Sequence, residues 1–405
     1  MNRALQLLTT TFLSACLAFP AIAQTGTAVE TGAPNAPNQK PAFEGQTRAP
    51  QPEKMPSLQK TVVAEGLPNL WALELLPDGR MLVSAKEGTM HIVADGKASE
   101  PLEGVPEVDA SGQGGLLDIA LAPDFETSGM IYFSFSEPHD GGNGTSVASA
   151  KLVENSGKAA LEDTKVIFRQ TPTYDGDKHY GSRLAFGTNK ELYVTVGERS
   201  DREPRVQAQD IASGLGKVFR IDTDGKAIEG NPFIGRENAL PEIWSYGHRN
   251  IQSAAVDAEG RLWTVEHGPK GGDELNLPKA GLNYGWPVIT YGIEYSGGKV
   301  GEGVTAKEGM EQPVYYWDPV IGPSGMAYYD SDAIPEWKGT FLIGGLVSQG
   351  IVVLKVDGEK VVTEGRLPLE ARIRDVKVGS DGAVYAVTET RGGGGSQILR
   401  LAPGA

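Results

Sequence analysis

From about residue 60 to the C-terminus, short β-type runs alternate with turn signals, and apolar residues almost never recur at helical spacing. One phrase returns along this stretch: a turn, then a run of small, β-branched and aromatic residues. It reads "LPDGRMLVSAKEG" near residue 76, "APDFETSGMIYFSFSE" near 122 and "GTNKELYVTVGER" near 187. It returns as "DAEGRLWTVEHGP" near 257, "EWKGTFLIGGL" near 336 and "GSDGAVYAVTET" near 379. A second strand-like phrase follows each, from "TMHIVADGK" to "SQILRLAPG". One such sheet cannot bury both faces, whereas a ring of them can. The pattern predicts an all-β domain over residues 57–405, a six-bladed β-propeller of four-stranded antiparallel sheets. The recurring strands are expected innermost, where small residues let the blades converge. "TVVAEGL" (61–67) is expected to pair with the last blade and close the ring. A pair of β-sandwiches is the alternative. Long inserts at 140–180 and 286–320 are expected to be functional loops on one face.

The first 56 residues follow a different pattern. Arg3, the apolar run after it and the small-x-small step Ala21-Ile22-Ala23 read as an export signal over residues 1–23, which implies a periplasmic or secreted protein. The alternative is a lipoprotein anchored through Cys16, the chain's only cysteine, in "LSAC". Either way the remaining domain has no thiol chemistry. Residues 24–56 carry Pro34, Pro37, Pro41, Pro50, Pro52 and Pro56 without apolar periodicity, the composition of a disordered or extended leader. A net charge of −15 argues against a nucleic-acid partner and makes local basic clusters the informative feature.

Four places carry candidate chemistry. His179, in "DGDKHYGSRLAFG", precedes a strand; it is either a general base, kept neutral by Lys178, or a hydrogen-bonded loop histidine. Arg249-Asn250 lies in "YGHRNIQSAAV". Arg372 and Arg374, in "EARIRDVKV", share a strand face about 7 Å apart and need an anion between them. That anion is either a ligand or a protein acid such as Asp375. "EHGPKGGDELNL" offers the carbonyls of Gly268 and Pro269 and then two acids, which is either a plain turn or oxygen ligands for a hard cation. No P-loop, dinucleotide or serine-hydrolase fingerprint is present.

Together "GQGGLLDIALAPDF", "YGSRLAFG", "YGHRN", "EHGPKGGDELN", "GLNYGWP" and "RIRDV" resemble the soluble quinoprotein sugar dehydrogenases, and among them the shorter bacterial aldose sugar dehydrogenases. The resemblance spans about residues 60–403. It implies oxidation of an aldose at C1 to a lactone, with pyrroloquinoline quinone (PQQ) and Ca²⁺ as cofactors and an external electron acceptor. His179 then matches the base that takes the proton of the C1 hydroxyl, and Arg249 the arginine facing the quinone carbonyl. Asn250 and the pair Arg372 and Arg374 match cofactor-binding residues. Gly268 and Pro269 match the carbonyl ligands of calcium, and Gln113 matches a glutamine near the substrate end. Three positions depart from the family pattern. Lys178 stands where an acid precedes the base. No lysine appears in "IGGLVSQGIV", where Ser348 or Gln349 is the expected replacement. The substrate aromatics are unmatched, with Tyr316 or Trp317 expected to stack on sugar or quinone. The other functions weighed are a calcium-dependent lactonase-type hydrolase and a non-catalytic glycan- or partner-binding propeller.

Overall fold

The computed structural model describes residues 26–155, 157–392 and 394–404; the expected export signal and Cys16 lie outside them. The strands form six four-stranded antiparallel sheets in a ring. Blade 1 comprises Leu70–Leu75, Met81–Ala85, Thr89–Ala94 and Lys97–Ala98; blade 2 comprises Leu116–Leu121, Met130–His139, Gly142–Asn155 and Lys158–Arg169. Blade 3 comprises Gly181–Phe186, Leu192–Val196, Lys217–Ile221 and Ile243–Tyr246; blade 4 comprises Ile251–Val256, Leu262–Glu266, Asp273–Asn276 and Tyr315–Trp317. Blade 5 comprises Pro323–Tyr329, Thr340–Gly345, Gly350–Asp357 and Lys360–Pro368. Blade 6 comprises Arg372–Val378, Val384–Glu389 and Ser396–Pro403, completed by Leu58–Leu67. That early strand runs antiparallel to Ser396–Pro403 and closes the ring as the sequence suggested. No helix among the described residues is long and apolar enough to cross a membrane.

The structure corrects three expectations. The first strand of each blade contacts the first strands of both neighbours, so these strands line the axis. The recurring phrase is therefore the turn after the innermost strand, plus the second strand. The innermost strands are the less regular runs just before it, such as "LWALEL" and "GSRLAF". Next, most of the 140–180 insert is regular: it forms the two long outer strands of blade 2, and only 170–180 is irregular. Finally, the leader is not disordered over residues 26–57. It runs as irregular chain against blades 4 and 5, with Ala36, Gln46 and Ala49 buried. Proline denies it a strand ladder, so side chains and loops of the blades meet its backbone groups instead.

The axis is held by two devices. Each innermost strand slips register against the second strand near its start, which frees backbone groups there. Hydroxyls fill the gap in the first three blades. Ser84 accepts from Ala72 N and donates to Leu117 O of the next blade. Ser134 does the same between Asp118 N and Ser182 O, and Thr195 between Arg183 N and Ile251 O. On blades 4 and 5 the relay moves to the innermost strand itself, with Ser253 donating to Ser324 O and Ser324 donating to Ile373 O.

The second device is one buried charge. Arg183 donates from Nη1 to Asp118 at 2.8 Å and to Asp375 at 2.9 Å, and from Nε to Gln252 O at 3.0 Å. Its guanidinium also lies 4.4 Å from the Trp71 ring centroid. Groups from blades 1, 2, 3, 4 and 6 thus meet at one side chain. Removing one partner of a buried ion pair leaves the others uncompensated. Arg183→Ala is therefore expected to destabilise the fold by about 3–5 kcal/mol. Denaturant unfolding checks this, and a loss within experimental scatter would show that the cluster does not hold the ring.

Candidate active site

At one end of the axis, the loops entering the innermost strands and leaving the second strands surround a cavity of about 770 Å³. Eight of the residues singled out by the sequence line it: Gln113, His179, Arg249, Asn250, Gly268, Pro269, Arg372 and Arg374. They come from loops and strand ends of blades 2, 3, 4 and 6.

His179 stands just before the innermost strand of blade 3, in left-handed backbone at φ 53°. A side-chain-bearing residue keeps that conformation only when its surroundings over-determine it, and three contacts do so here. Its backbone N donates to Gln113 Oε1 at 2.9 Å. Its carbonyl lies so close to Gly197 that a Cβ there would fall 2.0 Å from the oxygen, so only glycine fits. Its Nδ1 lies 2.7 Å from Oε2 of the buried Glu198. Burial is the largest influence on the imidazole and lowers its pKa; Arg249 adds to this and Glu198 opposes it. Burial works to raise the Glu198 carboxyl, but His179 and Arg249 outweigh it and hold it below the usual range. With its pKa lowered the imidazole is neutral near pH 7, and the contact to the Glu198 carboxylate then puts its proton on Nδ1 and leaves Nε2 as a proton acceptor. Lys178 does not act on this histidine as the sequence suggested. It is exposed and pairs with Asp177 Oδ1 at 2.6 Å.

Arg249 and Asn250 fill the step between blade 3 and the innermost strand of blade 4. Asn250 Oδ1 accepts from Gly181 N at 3.0 Å, tying the two blades together beside His179. Arg249 N donates to Glu266 Oε2, its Nη1 donates to His267 O at 3.0 Å and to Gly268 O at 2.8 Å, and its Nε is buried without a partner. The Gly268 turn is tight: a Cβ at Gly268 would fall 2.2 Å from Gly272 O. Asp273 sets its position by accepting from Gly268 N at 2.9 Å and from Ile321 N and Gly322 N at 2.8 Å each.

Arg372 and Arg374 open the innermost strand of blade 6, and their anion is Glu389. Arg372 donates to Glu389 Oε1 and Arg374 to Oε2; Arg374 also reaches Gln252 Oε1 at 3.0 Å. Burial raises the Glu389 carboxyl, but Arg374 and Arg372 outweigh it and hold it low. Asp375, the partner considered from sequence, turns to Arg183 instead.

Several contributors were not foreseen. Lys86, from the end of the second strand of blade 1, lines the cavity, whereas Ser348 and Gln349 do not. Tyr316 and Trp317 are buried, Tyr316 stacking on Tyr291 at 4.0 Å; the aromatics that line the cavity are Trp71 and Tyr295. Glu198, Glu266 and Glu389 went unread although they recur. Each stands at or just beyond the second strand of its blade, in "VTVGE", "WTVE" and "VTE", and holds a polar group placed where the same blade's innermost strand begins. Of the two histidines near Arg249, His248 is buried against Tyr284 and Glu266. Burial and the neighbouring Arg249 lower His267 to about 3.

Five basic side chains line the cavity (Lys86, Arg249, Arg372, Arg374 and Arg391) against two acidic ones (Asp273 and Glu389). With the orphaned Arg249 Nε, this set fits a polyanionic, carbonyl-rich ligand of PQQ type. The fit to calcium is narrower. Among the described residues no group of three His, Cys, Asp or Glu side chains could hold a metal. The chain offers the Gly268 and Pro269 carbonyls, and the first of these accepts from Arg249 here.

The family model described as Glucose / Sorbosone dehydrogenase matches residues 67–400. The chain is 42% identical to aldose sugar dehydrogenase YliI of Escherichia coli K12 over 349 residues, covering 84% of this chain and 92% of that protein. The crystal structure of the soluble aldose sugar dehydrogenase from Escherichia coli in its apo form superposes with a TM-score of 0.79 at 40% identity, covering 86% of this chain and all of that one. The PQQ-bound aldose sugar dehydrogenase of Streptomyces coelicolor superposes at 0.70 with 32% identity, covering 86% and 99%. The chain therefore belongs to the glucose/sorbosone dehydrogenase family, the PQQ-dependent soluble sugar dehydrogenases.

Proposed function

We propose that this chain oxidises aldose sugars at C1 to lactones, with PQQ and Ca²⁺ bound in the cavity and His179 as general base. The observation that carries the reading is His179, buried, anchored by Gln113 and Glu198, and facing a cationic wall. A base must be unprotonated and aimed; Glu198 sets the tautomer and Gln113 the backbone. When bound, PQQ supplies the two-electron acceptor for the hydride leaving C1. His179 Nε2 takes the C1 hydroxyl proton, which leaves the sugar carbon as a lactone carbonyl. Arg372, Arg374 and Asn250 hold the cofactor, and Arg249 is the fixed positive charge placed for a developing oxyanion. The Gly268 and Pro269 carbonyls would hold calcium, which would supply a fixed positive charge beside the cofactor. The donor is an aldose, the final oxidant is an external acceptor, and the expected export signal places the reaction in the periplasm.

Reconstitution of the apo-protein with PQQ and Ca²⁺ tests this directly. Dye reduction with glucose or another aldose is expected, and fully loaded protein that oxidises no aldose would sink the reading. Lactone hydrolysis without quinone would favour the hydrolase instead. His179→Ala is expected to lower kcat by about 10²–10⁴ while quinone still binds. Arg372→Ala is expected to raise the quinone Kd instead.

The pH dependence separates His179 from Glu198. Activity requires neutral His179, whose pKa lies below 6.5, so kcat/KM holds from neutral pH down past that value before falling. Glu198 raises the His179 pKa, so Glu198→Gln is expected to move the acid limb to still lower pH while kcat drops with loss of the tautomer. A limb that moved upward would contradict the pairing.

A further inference from the structure

The family match begins at residue 67, yet residues 26–57 are packed against the ring. Resting on the reading above, we propose that this segment is a positioning strap for the Gly268–Pro269 turn, with Arg48 and Asp318 as its clamp.

The contacts run from strap to cavity without a gap. Arg48 gathers the strap and the ring together, donating from Nη1 to Glu30 O at 3.0 Å and from Nη2 to Gly32 O at 2.7 Å and Asp318 O at 2.9 Å. It does so in left-handed backbone at φ 54°, a conformation unfavourable for arginine unless its surroundings fix it. The Asp318 carboxylate accepts from Asn35 N at 2.5 Å and Ala36 N at 3.0 Å, and Asn35 Oδ1 accepts from Val320 N at 3.2 Å. Residues 318–320 are thereby tied to the strap, and the next two, Ile321 and Gly322, donate to the Asp273 oxygen opposite the one that holds Gly268 N. Asp318 also abuts the turn directly: a Cβ on Gly271 would meet its Oδ1 at 2.9 Å.

The strap braces the other side of the turn as well. Gln46 Oε1 accepts from Tyr291 OH at 3.0 Å, and Gln39 reaches Thr290 O. Segment 290–293 is paired back to Lys270, and a Cβ on Gly292 would fall 2.3 Å from Gly271 O and 2.8 Å from the Pro269 ring. Both walls of the turn that carries the proposed calcium carbonyls are thus fastened to residues 35–48. Such outer contacts orient the groups that bind directly, and their loss typically weakens a metal site about 10–100-fold.

The test uses the full chain with Arg48→Ala, and with Lys54→Ala as the control. Lys54 is a strap residue whose partner is Glu336 on the surface, outside this set of contacts. In the apo-protein, hydrogen exchange of peptides spanning 268–272 is expected to speed up in Arg48→Ala and not in Lys54→Ala. Absorbance titration with PQQ in the presence of Ca²⁺ is expected to show a Kd raised about tenfold or more, with kcat at saturation within twofold of wild type. If Arg48→Ala fails to fold, Asn35→Ala, which removes only the acceptor for Val320 N, decides by the same two measurements. Unchanged exchange together with an unchanged Kd would overturn the proposal and leave the strap as cladding for the outer strands of blades 4 and 5. Failure of the wild-type chain to bind PQQ would instead defeat the functional reading, and the exchange comparison would still decide the strap.

Discussion

Arg183 carries a permanent charge with almost no access to water, and the ring depends on how that charge is balanced. Stripping its hydration costs several kcal/mol, which only well-placed anions return. Asp118 and Asp375 supply them from the innermost strands of blades 2 and 6, and their remaining oxygens take Leu184 N and Leu73 N. Each carboxylate therefore fixes both a charge and a strand. The cluster also sets the floor of the cavity. Trp71 lies between Arg183 on the axis and Arg374, whose guanidinium is 5.9 Å from the same ring. Gln252 accepts from Arg183 through its carbonyl and from Arg374 through its side chain. Moving Arg183 would move the group that grips the proposed cofactor.

The site repeats one local solution in three blades. A glutamate stands at or just beyond the end of the second strand: Glu198, Glu266 and Glu389. Each glutamate holds a donor placed where its own blade's innermost strand begins, namely His179 Nδ1, Arg249 N, and the Arg372 and Arg374 guanidiniums. Rigid strand ends place these groups more accurately than free loops would. What differs is the donor held: an imidazole Nδ1, a backbone N–H and a pair of guanidiniums.

That repetition marks what the sequence made legible. The six turn-and-strand phrases define the blades because turn residues punctuate the chain strongly, and the early strand reveals the ring closure. The phrase marks the second strand rather than the innermost one, because the regularity that makes it visible belongs to the second strand. The innermost strands carry Asp118, Arg183, Arg372, Arg374 and Asp375, which break the apolar pattern that marks a strand. The site residues were legible as residue types and through the resemblance, but their partners were not. Glu198 is 19 residues from His179, and strand pairing rather than local spacing brings them together. The strap was illegible for a related reason: proline-rich composition signals the absence of ladder bonding, not the absence of packing, and the partners of Asn35 and Ala36 lie more than 280 residues away.

Glu389 has a further consequence for how the cavity binds. Two guanidiniums about 7 Å apart on one strand would splay without an anion between them. Glu389 keeps both in place before any ligand arrives, so less order has to be imposed on binding. In return it neutralises one of the two positive charges, and an incoming carboxylate meets a net charge of one from this group rather than two. Affinity for a polyanion must then draw on cations that form no ion pair through their own side chain. Lys86 donates to a backbone carbonyl, Ala110 O, and the Arg249 guanidinium donates to the carbonyls of His267 and Gly268 and lies over the Trp286 ring, with Nε unused. Glu389 thus serves geometry, while Lys86 and Arg249 supply the attraction. Arg249 donates to the carbonyls that open the turn braced by the strap, so the position of this cation depends on that turn, as the positions of Arg372 and Arg374 depend on Glu389.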